Sequence, residues 1–185
     1  MLFFKFFLIT NFSLVTSYKI LCLFPHRGRS HFDVARTLIE TLAHKGHEVT
    51  LMSYFALATT PSNFTHILLR NSSVFVNVVD MHRYKGHRTE KWYSVIDFAV
   101  NYAKITCEYD FTSPTVEHFL QNCNTEFDVI ITQVFSHDCF YSFGRKFQAP
   151  IVGISPFRWL TWEDGYFGTP THPAYVGNVV MDYGK

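Results

Sequence analysis

Residues 21–53, LCLFPHRGRSHFDVARTLIETLAHKGHEVTLMS, decide how the chain folds. The run from Tyr18 to Phe24 is continuous and apolar, as a strand covered on both faces must be, and Pro25 ends it. Phe32, Ala35, Leu38, Ile39, Leu42 and Ala43 then recur at helical spacing. Ser30 is expected as the N-cap, with Asp33 three residues on in a near-match to the capping box, and Gly46 as the residue beyond the C-cap. His47 to Ser53 reads as a second strand. Strand, helix and strand at these lengths predict a βαβ unit with a right-handed crossover and parallel strands. The loop between strand and helix holds Gly28 but lacks the G-x-G-x-x-G fingerprint of a phosphate cradle. A histidine, His31, stands in the first helical turn instead.

Working outward, Thr65–Arg70 and Val74–Asp80 read as strands, and residues 82–91 as a charged exposed loop. Trp92–Cys107 and Pro114–Gln121 have helical spacing, FDVIITQVF from Phe127 is a buried strand, Asp138–Lys146 a helix, and APIVGIS from Ala149 a strand. Alternation of this kind predicts an α/β fold, Rossmann-like, with a mostly parallel sheet flanked by helices. The last thirty residues are rich in Pro, Gly and aromatics and read as loops.

The chain has 185 residues, 48% hydrophobic, enough for the core of one domain. Its net charge is +1 and its Lys and Arg are scattered, so no nucleic-acid partner is expected. The opening MLFFKFFLITNFSLVTS carries Lys5, an apolar run and Val15-Thr16-Ser17 before Tyr18, the pattern of a secretory signal cleaved after Ser17. That run is too short and too interrupted to span a membrane. Residues 1–17 are therefore expected as a signal peptide and 18–185 as a single domain. The sequons NFT at Asn63 and NSS at Asn71 suit a lumenal chain and are the expected glycosylation sites. Of the four cysteines, Cys22 and Cys139 lie in apolar surroundings and read as buried thiols, while Cys107 and Cys123 could bridge in an oxidising lumen. No cysteine pair has metal-ligand spacing, and His82 and His87 lack a second ligand pair, so no metal is expected.

In open α/β sheets, ligands bind beyond the carboxyl ends of the strands. Two polar clusters fall there: PHRGRSH, ending at His31, and FSHDCF, containing Asp138. If the two strands are neighbours, His31 and Asp138 can meet, and a histidine oriented by a carboxylate is a workable general base. His26 is the second candidate, and Arg27 and Arg29 read as part of a solvated loop. Phe157, Trp159, Trp162 and Tyr166 either line an apolar cleft or pack under a long loop.

The pieces ILCLFPHRGRSHFDV, LAHKGHEVTLMS, FDVIITQVFSHDCFYSFGRKFQAPIVGIS and GTPTHPAYVGN, in this order and spacing, resemble the amino-terminal half of animal UDP-glycosyltransferases, most closely the insect-type membrane enzymes. The resemblance implies the first domain of a two-domain GT-B glycosyltransferase. That domain would bind a small lipophilic acceptor, with Phe157, Trp159 and Trp162 against it. The second domain, beyond these residues, would hold the UDP-sugar, a co-substrate rather than a cofactor. The histidine of SHF, His31, would deprotonate the acceptor hydroxyl, with the aspartate of DCF, Asp138, as its partner, and the sugar would transfer with inversion. Many relatives carry an acidic residue where this chain has Gln133, which weakens any role for that position. The resemblance also implies the endoplasmic reticulum lumen, a carboxy-terminal membrane anchor beyond this sequence, and room for a homo-oligomer. Residues 18–185 alone are expected to transfer no sugar. The competing reading is a non-catalytic lumenal module that holds small apolar molecules. A hydrolase would need a G-x-S-x-G elbow, which is missing.

Overall fold

The computed structural model describes residues 16–69, 93–135, 137–156, 161–165, 167, 168, 170 and 172. Its centre is a five-stranded parallel sheet in the order β3-β2-β1-β4-β5. The strands are β1 (Lys19–Phe24), β2 (Glu48–Ser53), β3 (Phe64–Leu68), β4 (Val129–Gln133) and β5 (Ile151–Ile154). The helices are α1 (Arg29–His44), α2 (Tyr93–Phe111), α3 (Pro114–Asn122), α4 (Ser142–Phe147) and the short α5 (Thr161–Asp164); a 3₁₀ turn, Asp138–Tyr141, precedes α4. The α/β expectation holds, as do the strands expected near 18–24, 47–53, 65–70, 127–135 and 149–155. The expected strand at 74–80 and residues 1–15 of the expected signal peptide lie outside the described residues.

Side chains of a strand alternate between faces, and β1 feeds two cores in this way. Ile20, Cys22 and Phe24 pack with Phe32, Ala35, Ile39 and Ala43 of α1 on one face. Leu21 and Leu23 pack with Val116, Ile130, Phe140 and Phe143 on the other. Leu38, counted on the apolar stripe of α1, is 42% exposed and drops out of it. The second core is aromatic: Phe140 and Phe143 stack at 5.4 Å and Phe111 meets Phe140 edge-on. Burial of each such ring contributes about 1.5–3 kcal/mol.

Three local expectations change. Helix α1 begins at Arg29 with Gly28 as N-cap and no side-chain cap, so Ser30 is inside the helix and the capping box does not form. Asp33 instead accepts from Arg29 Nε at 3.0 Å across one turn. Gly46 does follow the C-cap, with φ of 93°, a conformation that favours glycine. The expected helix from Asp138 splits into the 3₁₀ turn and α4.

The disulfide is also not the expected one. Cys107 of α2 bridges Cys139 of the 3₁₀ turn, while Cys22 and Cys123 are free. Cys107 and Cys123 are 16 positions apart, but α2 runs on to Phe111 and Cys123 caps the far end of α3, whereas the 3₁₀ turn packs against α2. Closing a loop of 32 residues restricts the unfolded chain by about 3 to 4 kcal/mol. Replacing Cys107 and Cys139 together by Ala should therefore lower unfolding stability by roughly 3 kcal/mol in denaturant titration. Cys123→Ser should change it little, and the denatured wild-type chain should show two reactive thiols. Four reactive thiols would overturn the assigned bridge.

Candidate active site

β1 and β4 are parallel neighbours, with Leu23 paired to Thr132, so their carboxyl ends lie side by side. Chain connection runs outward in opposite directions from this pair, which makes it the switch point where open α/β sheets leave a crevice. After β1 the chain turns through Gly28, whose carbonyl accepts from the backbone N–H of His31 at 3.1 Å and of Phe32 at 3.3 Å. That cap sets His31 in the first turn of α1. Its ring then reaches across to β4, where Gln133 Nε2 lies 2.8 Å from His31 Nδ1. Gln133 is the last residue of β4 and is 2% exposed.

The rings around His31 are neutral. His26 stacks on it at 3.8 Å with the planes 8° apart. His26 Nδ1 accepts from Gly28 N–H at 2.8 Å, so its own proton sits on Nε2 and it offers no lone pair to a substrate. Burial and the neighbouring His31 and His137 push the His26 pKa down to about 3. Gly28 is needed for this packing rather than for its φ: a Cβ there would stand 2.6 Å from His26 Cε1. His137, 1% exposed, meets His26 edge-on at 5.6 Å and donates Nδ1–H to the carbonyl of Phe135. Burial pushes its pKa down to about 4. Burial lowers His31 as well. Phe135 and Tyr102 complete the wall, with Phe135 5.3 Å from His31. Among the described residues, no group of three or more His, Cys, Asp or Glu side chains is arranged to hold a metal ion.

Below this wall lies a buried ion pair. Arg27 Nη2 is 2.9 Å from Asp110 Oδ1, with side chains 12% and 1% exposed. Tyr54 bonds to both through its hydroxyl, and the guanidinium lies 4.3 Å above the Tyr54 ring and 5.3 Å from that of Tyr109. Arg27 is thus not solvated, and Arg29 belongs to the first turn of α1, half exposed and paired with Asp33.

The structure places the other expected residues as follows. Asp138 is exposed at the start of the 3₁₀ turn, and the side chain bonded to His31 Nδ1 is Gln133. Asn63 donates both amide hydrogens, to the carbonyls of Ala43 at 2.8 Å and His47 at 2.5 Å, so a glycan there would have to displace one of them. Asn71, Phe157, Trp159 and Tyr166 lie outside the described residues, as does the Trp162 side chain. The sequence reading gave no role to His137, Asp110 or Tyr54. Gln133 had a usable signal: it is a polar residue closing an otherwise apolar strand that pairs with the strand leading to His31.

Comparison with known proteins gives insect relatives. UDP-glucosyltransferase 2 of Dactylopius coccus is 31% identical over 159 residues, 85% of this chain and 30% of that protein. UDP-glycosyltransferases UGT5 and UGT4 of the same insect are 29% and 28% identical, over 99% and 89% of this chain. The chain spans about a third of the length of the curated relatives it matches (35% and 32% for these two). Among solved structures, the calicheamicin glycosyltransferase CalG4 gives a TM-score of 0.44 at 15% identity, covering 88% of this chain and 38% of its own. The glycotransferase of kitacinnamycin gives 0.43 at 17% identity, covering 78% of this chain and 31% of its own. No protein-family model matches.

Two outcomes follow from the neutral rings and the ion pair. In the unfolded chain the histidines titrate near 6.5, whereas folded His26 and His137 do so at about 3 and about 4. Above pH 6.5 both states are neutral and these rings leave stability unchanged. As pH falls below 6.5 the unfolded chain takes up protons that the folded chain refuses. Stability should then drop by up to about 1.4 kcal/mol per pH unit for each ring until the folded values are reached. Urea midpoints measured from pH 7 to 4.5 should fall steadily; a flat profile would mean that the rings are not buried neutral. Arg27→Met should cost about 3 to 5 kcal/mol, because it leaves the Asp110 carboxylate buried without its cation. Adding Asp110→Leu should recover most of that loss, and a double variant no more stable than Arg27→Met would argue against the pair.

Proposed function

We propose, from the premise that this chain belongs to the UDP-glycosyltransferase family, that it forms the acceptor side of an enzyme moving a sugar from a UDP-sugar to small lipophilic acceptors. The carrying observation is the position of His31: a first-turn histidine, bonded to the end of β4, in the crevice where the strand order reverses. In the family's GT-B arrangement this would be the first domain, facing a second that holds the nucleotide. The acceptor oxygen would attack the anomeric carbon from the side opposite the UDP leaving group, which departs with the bonding electron pair and inverts the centre. His31 is the group that meets the acceptor oxygen and, as general base, takes its proton when the acceptor arrives with one. The aromatic wall of Phe135 and Tyr102 favours an apolar acceptor. The Cys107–Cys139 bridge fits an oxidising compartment such as the endoplasmic reticulum lumen.

The test is His31→Ala in the protein at its full natural length. Transfer from UDP-glucose to a panel of phenols and alcohols should fall by about 10² or more, the usual size of a lost acid–base group. Acceptor affinity should stay within a few-fold. Turnover unchanged by the substitution would remove His31 from the reaction.

A further inference from the structure

Gln133 does more than hold a ring. Its Nε2 faces His31 Nδ1, while its Oε1 is buried and has no hydrogen-bond partner among the described residues. Turning the amide over would put an NH₂ with two hydrogens into that unpartnered position. A buried N–H without an acceptor costs more than an under-used carbonyl oxygen, so the observed orientation is the better one. A ring nitrogen that accepts a hydrogen bond carries no proton, which leaves the proton of neutral His31 on Nε2. The nitrogen not bonded to Gln133 is then an N–H donor in the resting site.

We infer that Gln133 is a positioning residue that fixes His31 as an Nε2–H donor, and thereby makes acceptors that arrive ionised, carboxylates and acidic phenols, the preferred substrate class of this cleft. This rests on the reading of His31 as the residue that meets the acceptor oxygen. With such an acceptor the reaction balances without a base. The oxyanion forms the bond to the anomeric carbon, the bond from that carbon to the diphosphate oxygen breaks, and UDP leaves carrying the electron pair and the negative charge. His31 Nε2–H donates to the oxyanion while it waits. A neutral alcohol asks for more. The Gln133 amide must turn, the ring must change tautomer, and the imidazolium formed would face an amide instead of a carboxylate. In serine proteases the same exchange of carboxylate for amide costs about 10⁴ in rate through the wrong tautomer. Burial, which already lowers His31, acts in the same direction. The group that faces Nδ1 is the Gln133 amide. Among the described residues, His26 of the β1–α1 loop stacks on the ring, Tyr102 of α2 and His137 after β4 lie against His26, and the Arg27–Asp110 pair with Tyr54 is linked to the same loop.

The experiment compares the natural full-length protein with Gln133→Glu. Long-range proton–nitrogen spectra of the histidine rings at pH 7 should show His31 in the Nε2–H form in the wild type. The variant should show the Nδ1–H form, with a His31 pKa at least one unit higher. With UDP-glucose, the wild type should use benzoate and 4-nitrophenol in preference to benzyl alcohol. The variant should raise transfer to benzyl alcohol at least tenfold and gain little with the two acids. A wild-type His31 in the Nδ1–H form, or benzyl alcohol used equally by both proteins, would overturn the inference. Absence of transfer to every acceptor would count against the proposed function, and the wild-type spectrum, which needs no variant, would still decide the role of Gln133.

Discussion

The parallel pairing of β1 with β4 brings together residues more than a hundred positions apart. Thr132 Oγ1 donates to the carbonyl of Leu23 at 3.0 Å across a sequence separation of 109, inside the core. At the other end, Asp128 Oδ2 accepts from Lys19 N–H at 2.7 Å and sets where the two strands enter. With both ends fixed, a slip of one residue would turn Ile20, Cys22 and Phe24 away from α1 and reverse both cores. The crevice inherits that precision. His31 and Gln133 meet because the loop after β1 and the last residue of β4 are held at the same level of the sheet.

Burial explains the chemistry of the wall. Three histidines within ring contact could not all carry charge in so little water, and two of them have a nitrogen tied to a backbone partner in the neutral form. A buried charge pair, Arg27 with Asp110, shares the Tyr54 hydroxyl. It anchors the loop after β1 to α2, and the disulfide from Cys107, one turn earlier on α2, anchors the same helix to the turn after β4. Both walls of the crevice are therefore tied to α2.

Hydrophobic periodicity made the strands and α1 legible, because burial on two faces leaves a continuous apolar run and burial of one helix face leaves a stripe. The place of His31 was legible for the same reason: it follows from where β1 stops and α1 starts. The side chain that faces its Nδ1, Gln133, was not. Asp138 attracted attention as a carboxylate beyond a strand, but the chain leaves β4 through a 3₁₀ turn that carries Asp138 to the surface, while Gln133 stays in the sheet, paired with Ile154 of β5. Arg27 looked solvated because Asp110 lies 83 residues away, on a helix whose packing no local pattern reports. The bridge went to Cys139 rather than Cys123 for a similar reason: sequence distance along two successive helices says little about which turn packs against them.

Gly28 shows how closely these features are joined. It has ordinary helix-entry dihedrals, so backbone freedom does not account for it. Its N–H fixes the tautomer of His26, its carbonyl caps the turn that holds His31, and its missing side chain leaves room for the two rings to stack. The described side chains against His31 include the His26 and Phe135 rings and the Gln133 amide, all neutral. A floor of that kind gives little help to a proton leaving a substrate, but it offers hydrogen-bond donors to negative charge. The charge that such a cleft can use is one that its ligand brings.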